Sequence, residues 1–372
     1  MKKVITTVGT SVFDNYFNQN NNSSFQLYYN KLENKSFSEW SDYKEYIDKL
    51  KQGIKGWIKG AKDASAEITS ILKIREELQG EELDVYLLAT DTILSALAAE
   101  IIKDYFEDKV NAYFNNQNDI ISELQVKDKS SFIKKGLPNL INRINQISAG
   151  FWENILFNIT GGYKGVIPYL TIISTINRCE IKYIFEKSEE LITIPQLPIK
   201  IDETIFDNYI NYINKLEQGI DDYNKEKQNN KTYKELEKNG LVEYEDNLAF
   251  LSPIGQILYT KYKNNVFVFY ASDNVFEEIQ KQGNIREILS SKFVKNFERK
   301  TEQKNDHYVY DDGNNPYRIF YFQQENNIYI YKTFEDHDEY EKYLSSEKIT
   351  DEFKQEYIQK SKIRKIKISG RN

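Results

Sequence analysis

Phe157-Asn158-Ile159-Thr160-Gly161-Gly162-Tyr163-Lys164-Gly165 marks the place where a buried strand gives way to a helix. Residues Asn154 to Ile159 are apolar enough for an interior strand, and Pro168 to Asn177 predicts an apolar helix packed back onto it. Gly161 and Gly162 remove side chains where backbone can approach a ligand closely. The first N–H groups of the following helix have no intrahelical acceptor and can face a phosphate. Lys164 adds a full positive charge. Glycine also serves such turns for steric reasons alone, so this junction by itself leaves ligand binding and plain packing both open.

Two more strand ends carry the same chemistry. Val4 to Val8 is a short β-rich run that stops at Gly9-Thr10-Ser11, a turn with two hydroxyls and no bulk. Leu83 to Ala89 ends in Thr90-Asp91-Thr92 and passes into the helical run Ile93 to Tyr105. In an open parallel sheet, ligands bind at the carboxyl ends of strands near the topological switch point. The expected ligand is therefore anionic, and the expected contacts are Gly9, Thr10, Ser11, Asp91, Thr92, Thr160, Gly161, Gly162, Tyr163 and Lys164.

Thr6-Thr7-Val8-Gly9-Thr10-Ser11 and Asn158-Ile159-Thr160-Gly161-Gly162-Tyr163-Lys164-Gly165 resemble the two ligand motifs of CARF domains, the Rossmann-like sensors of type III CRISPR antiviral defence. The resemblance covers roughly the first half of the chain. It implies a homodimer that binds cyclic oligoadenylate across its two-fold axis, with the Gly-Gly-Tyr-Lys motif pointing to cyclic tetra-adenylate as activator. Ser11 and Lys164 would then be placed to cleave that ligand slowly, as some relatives do. An unrelated nucleotide-binding α/β domain with similar turns is the alternative.

The chain has 372 residues, long for one domain. Cys179 is the sole cysteine, which excludes a disulfide framework and a thiolate metal site. No stretch reaches the roughly 20 apolar residues of a membrane span, and the opening residues lack the apolar core of a signal peptide, so a cytoplasmic protein without a membrane partner is expected. The net charge of −7 confines nucleic-acid contacts to local patches.

Alternation of strand and helix through residues 1–198 predicts a mostly parallel sheet with helices on both faces. A polar loop is expected at Asn18 to Ser24, followed by a long amphipathic helical tract to Leu78. The prolines at 195 and 198 end this unit. Residues 199–263 read as helix Ile201 to Gln218, a charged loop Asp221 to Lys231, helix Tyr233 to Lys238, a hairpin over Leu241 to Leu251, and a helix capped by Ser252-Pro253. This order resembles a winged helix-turn-helix. Its helices carry as much Glu as Lys, which favours a connector over DNA reading.

Residues 264–372 predict an α+β unit: strand Val266 to Tyr270, helices Asn274 to Lys281 and Lys292 to Gln303, strands His307 to Tyr310, Arg318 to Phe322 and Ile328 to Lys332, and closing helices Asp336 to Leu344 and Asp351 to Ile363. This order, centred on Tyr317-Arg318-Ile319-Phe320-Tyr321-Phe322, is similar to the antiparallel-sheet RelE superfamily of ribosome-dependent mRNA interferases. The resemblance implies metal-free mRNA cleavage on the ribosome. Such cleavage needs a base for the 2′-hydroxyl, cations for the phosphate and an acid for the leaving oxygen. Arg318 matches the family's phosphate-clamping arginine, and His337 falls near its C-terminal acid/base position. His307, Lys332, Tyr308 and Tyr310 are secondary candidates.

The acids Glu335, Asp336, Asp338 and Glu339 around His337 depart from the family's basic character there. Positive charge gathers instead at Lys292, Lys295, Arg299 and Lys300, and in a tail of Lys360, Lys362, Arg364, Lys365, Lys367 and Arg371, which suits either a solvated terminus or an rRNA anchor. No cofactor is expected. Arg299 and His307 are spaced too widely, and followed by strands, for a HEPN ribonuclease. A CARF effector with a metal-dependent nuclease domain and a ligand-responsive winged-helix transcription regulator are the competing readings.

Overall fold

In a computed structural model, which describes every residue except 21, 62, 108, 126–127, 186–189, 314, 326 and 370–372, the chain divides into two units. The first comprises residues 1–202 and 234–258, the second 203–233 and 259–372. The stretch 199–263 therefore contributes to both. Asn326, in the tight Glu325-Asn326-Asn327 turn expected between strands Arg318 to Phe322 and Ile328 to Lys332, and Arg371 of the basic tail lie outside the described residues.

The first unit is built on β1 (Lys2–Val8), β2 (Leu83–Thr90), β3 (Asn111–Tyr113), β4 (Ile120–Ile121), β5 (Ile155–Asn158), β6 (Glu180–Ile184) and β7 (Leu191–Ile194). The strand order is β3-β2-β1-β5-β6-β7, with β4 also on β2. All pairs are parallel except β6 with β7. Parallel strands buried on both faces need near-continuous apolar sequence, and β5 has all four residues buried. Helices Lys44–Ile58 and Ile93–Phe106 close one core with Val4, Val85 and Leu87, while Leu137–Ser148 and Ile167–Asn177 close the other with Ile5, Ile155 and Phe157. This is the expected Rossmann-like α/β layering. The sheet order reverses at β1, so its switch point lies between β1 and β5.

Between β1 and β2 the chain departs from expectation. Helix Ser11–Gln19 starts directly after the first turn and absorbs part of the expected polar loop. The expected single helical tract is split into Ser23–Leu32, a 3-10 turn Phe37–Tyr43, Lys44–Ile58 and Ala66–Glu77. Caps made by Ser36 and Ser65, each with its hydroxyl accepting a backbone N–H, interrupt it. A hairpin, β8 (Val242–Glu245) and β9 (Leu248–Leu251), also belongs to this unit, and Ser252 caps helix Pro253–Asn265 through the Gly255 N–H at 2.9 Å. The expected loop at 221–231 is instead largely helical, Tyr223–Asn229, anchored by the buried Tyr223 ring.

The second unit is an α+β body on a six-stranded sheet of order β11-β12-β13-β14-β10-β15. Its strands are β10 (Val266–Ala271), β11 (Thr301–Lys304), β12 (His307–Asp311), β13 (Arg318–Gln324), β14 (Asn327–Phe334) and β15 (Lys362–Lys367). The pairs are antiparallel except β10 with β14. One face carries Ile319, Tyr321 and Ile330 against the helical run from Asp273 to Lys300. The other carries Phe320, Phe322 and Tyr331 against helices His337–Ser346 and Asp351–Lys360.

Two expectations fail here. Thr301–Lys304, taken as the end of a helix, is the edge strand β11. Within the basic tail, Lys362–Lys367 form strand β15, hydrogen-bonded to β10, while Lys360 closes helix Asp351–Lys360. Its charges are largely committed: Lys362 lies 2.7 Å from Asp273, Arg364 pairs with the same carboxylate, Lys365 lies 2.5 Å from Asp207, and Lys360 lies 3.5 Å from Glu356. Residues 362–367 are therefore held in the sheet rather than forming a loose basic arm.

Candidate functional site

The two glycine turns of the first unit meet at the switch point. A Cβ on Gly9 would lie 2.9 Å from the Gly162 nitrogen, and one on Gly162 would lie 2.5 Å from the Thr7 Cβ. Gly162 has φ +95°, a conformation that side-chain-bearing residues rarely adopt. The Thr7 hydroxyl donates to the Gly161 carbonyl at 2.7 Å and ties the turns together. Gly9, Thr10, Ser11 and Thr160 to Lys164 therefore converge at the ends of adjacent strands, with Lys164 exposed. Asp91 and Thr92 serve the neighbouring turn after β2: Asp91 accepts the Glu123 N–H at 2.9 Å, and Thr92 caps helix Ile93–Phe106 through the Ser95 N–H.

Sequence reasoning missed Glu67. This carboxylate is fully buried and accepts from the Gly9 N–H at 2.7 Å and the Ser11 hydroxyl at 2.8 Å. Ser11 also accepts the Ala66 N–H at 3.1 Å. A Cβ on Gly161 would collide with the Glu67 carboxylate, so that glycine is required by this contact. The signal was present but faint: on helix Ala66–Glu77 the buried face with Ile68, Ile71 and Ile74 also carries Glu67 and Ser70, which break the apolar stripe. Ser70 accepts from the buried Asn158 amide at 2.8 Å, and Glu77 accepts from the buried Lys182 ammonium, which also donates to Thr193 at 2.6 Å.

In the second unit, Arg318 and His337 line one cleft of about 660 Å³ with Arg299, Lys300, Thr301, Glu302, Asp311, Gly313, Asn315 and Pro316. Adjacent strands present Asp311 and Arg318 directly opposite each other. Arg318 is 6% exposed. It reaches Asp311 at 2.8 Å, donates to the carbonyls of Asn315 at 2.6 Å and Tyr317 at 2.8 Å, and lies 5.1 Å from the Tyr340 ring centre. Its Nε is buried without a partner among the described residues. His337 opens helix His337–Ser346 with its side chain 60% exposed; Asp338 approaches it at 3.8 Å, and its ring packs on Tyr340. Glu302 was also missed. The Lys304 ammonium, 2.8 Å away, holds its carboxyl below the ordinary value, so it is ionised at neutral pH.

The other catalytic candidates lie elsewhere. His307 is 1% exposed between two fixed partners, the Tyr331 hydroxyl at 2.7 Å on Nδ1 and the Glu347 carbonyl at 3.0 Å on Nε2. A carbonyl only accepts, so Nε2 carries the hydrogen and Nδ1 accepts from Tyr331. Burial pushes the Tyr331 hydroxyl up, so it remains a donor. His307 is a satisfied core residue. Lys332 pairs with Glu278 at 3.3 Å and does not line the cleft, nor does the exposed Tyr308; Tyr310 is buried against Phe293. Among the described residues, no group of three or more His, Cys, Asp or Glu is gathered to hold a metal ion, and no helix is long and apolar enough to cross a membrane.

The first unit thus belongs to the class of parallel α/β bodies whose strand-end turns meet at the switch point. Residues 62–197, which include Glu67 and the Gly161-Gly162 turn, match the family model of the CRISPR-associated protein Cas_APE2256. That similarity supports a CRISPR-associated, CARF-like protein.

Proposed function

We propose that the chain is an endoribonuclease of type III CRISPR defence, activated by cyclic oligoadenylate and acting on mRNA at the ribosome. The observation that carries the enzymatic half is the cleft shared by Arg318, at the start of β13, and His337, at the start of the helix after β14. It offers an ionised carboxylate in Glu302, an exposed imidazole in His337, and cations. Those are the base, acid and charge-stabilising groups that transfer of a phosphate to a 2′-hydroxyl requires. Arg318 is held by Asp311 and two carbonyls, so its part is to fix the floor of the cleft.

The sensing half rests on the turns at β1 and β5 and on the family match over 62–197. Two copies would share one cyclic tetra-adenylate between their paired strand-end turns. The ligand shifts the equilibrium toward the active arrangement only as far as it binds that arrangement better. The deciding experiment supplies purified protein with translating ribosomes, with and without cyclic tetra-adenylate, beside naked RNA. Cuts that need both ligand and ribosomes are expected. Ligand-dependent cutting of naked RNA or DNA removes the ribosomal part of the reading, and no cutting under any condition removes the enzyme.

A further inference from the structure

The cleft of the second unit holds three full cations, and two of them are already spent. Lys300 donates to the Asp312 carboxylate at 2.9 Å and to its carbonyl at 3.1 Å. Lys292 reaches the same carboxylate at 2.5 Å. Burial pushes the Asp312 carboxyl up, but the hydrogen bonds from Lys292 and Lys300 outweigh that and hold it below its ordinary value. Arg318 is committed to Asp311, to two carbonyls and to the Tyr340 ring. For either group to take a phosphate, an existing charge-assisted bond would have to open. Of the two carboxylates on the lining, Asp311 is bound to Arg318 and to the Gly313 N–H at 2.8 Å, and Glu302 is bound to Lys304.

Arg299 is different. It lines the same cleft, is exposed, and among the described residues has neither an ion-pair nor a hydrogen-bond partner. It sits in the 3-10 turn Phe297–Lys300 that leads into edge strand β11. An uncommitted guanidinium forms a two-pronged contact with a phosphate without first breaking anything. We propose that Arg299 takes the backbone phosphate of the bound RNA, while Arg318 is a positioning residue. The inference rests on the reading of this cleft as an RNA site.

The test uses the full chain and a single-stranded 2′-O-methyl oligoribonucleotide, which cannot be cut through its 2′-oxygen. Binding is followed by fluorescence anisotropy from 50 to about 300 mM salt. A lost charge-assisted contact predicts a roughly ten- to hundredfold weaker complex for Arg299→Ala. Its salt slope should fall by about 0.7, the value of one phosphate on a single strand. Arg299→Lys should recover the slope and part of the affinity, because it keeps the charge and loses the fork. Lys295→Ala, outside the cleft lining, should behave as wild type.

Equal affinity for Arg299→Ala and wild type overturns the proposal. So does an equal loss in Lys295→Ala, which would indicate a diffuse basic surface, and so does a wild type without measurable affinity. The wider reading fails separately: if Arg299→Ala alone loses binding while no ribosome assay yields cuts, the phosphate contact stands and the proposed nuclease activity does not.

Discussion

Replacing Gly162 by alanine tests whether the two turns of the first unit are docked as tightly as their geometry implies. Two separate costs arise. Backbone at φ +95° disfavours a side chain by about 1–2 kcal/mol. The new methyl would also stand 2.5 Å from the Thr7 Cβ and 3.0 Å from the Thr7 carbonyl carbon, both in the central strand β1, and overpacking of that kind costs about 1–3 kcal/mol. Gly80 supplies the control: its φ is +80°, yet an added Cβ meets nothing within 4 Å. Gly80→Ala should carry the backbone cost alone. For a body of roughly 200 residues each kcal/mol moves Tm by about 2–4 °C, so Gly162→Ala should melt at least about 2 °C below Gly80→Ala. Hydrogen exchange of the amides from Lys2 to Val8 localises the effect to β1 and avoids assuming a single unfolding step for the whole chain. Equal shifts in the two variants, with β1 exchange unchanged, would refute the steric argument and the tight docking of the two turns.

Three further outcomes are expected. His307→Phe should destabilise the second unit by about 1–3 kcal/mol, since the Tyr331 hydroxyl and Glu347 carbonyl lose their partner, whereas His337→Ala should leave Tm unchanged and lower cleavage by roughly 10²–10⁴; melting and single-turnover cutting, run side by side, check both. Asp312 titrates below its ordinary 3.8 in the folded chain, so the stability from its lysine contacts is complete above about pH 4 and lost as pH falls through the lower folded value; Asp312→Asn should flatten that acid limb in a melting series. Gly56 lies inside helix Lys44–Ile58 with open space where a Cβ would stand, so Gly56→Ala should raise stability by about 1 kcal/mol, read as a Tm increase.

The parallel sheet was legible because buried strands such as Ile155–Asn158 and Leu83–Thr90 write their burial into continuous apolar sequence, and because glycine at 161 and 162 has few substitutes. Arg318 and His337 were legible as a pair through the resemblance of their strand and its sequel. Strands β11 and β15 were not. Thr301-Glu302-Gln303-Lys304 is polar throughout, and its hairpin with β12 across the Asn305-Asp306 turn lacks the apolar alternation that marks a strand, while Lys362 to Lys367 spaces its isoleucines three apart and becomes a strand only through β10, far earlier in the chain. Glu67 was hidden for a related reason. A lone glutamate on a helix ordinarily faces water, and only the assembled turns reveal two donors waiting for it.

Helix Ala66–Glu77 packs on the sheet through Ile68, Ile71 and Ile74 and adds three polar catches: Glu67 on the Gly9 and Ser11 turn, Ser70 on Asn158, and Glu77 on Lys182. An oily interface tolerates small slippage, because dispersion contacts lack direction; a row of directional bonds does not. This helix behaves like a bolt in a notched rail, seated or withdrawn, with little stable ground between. The catches are spread along the helix from Glu67 to Glu77, so its amides should open to hydrogen exchange as a single block rather than fray from one end.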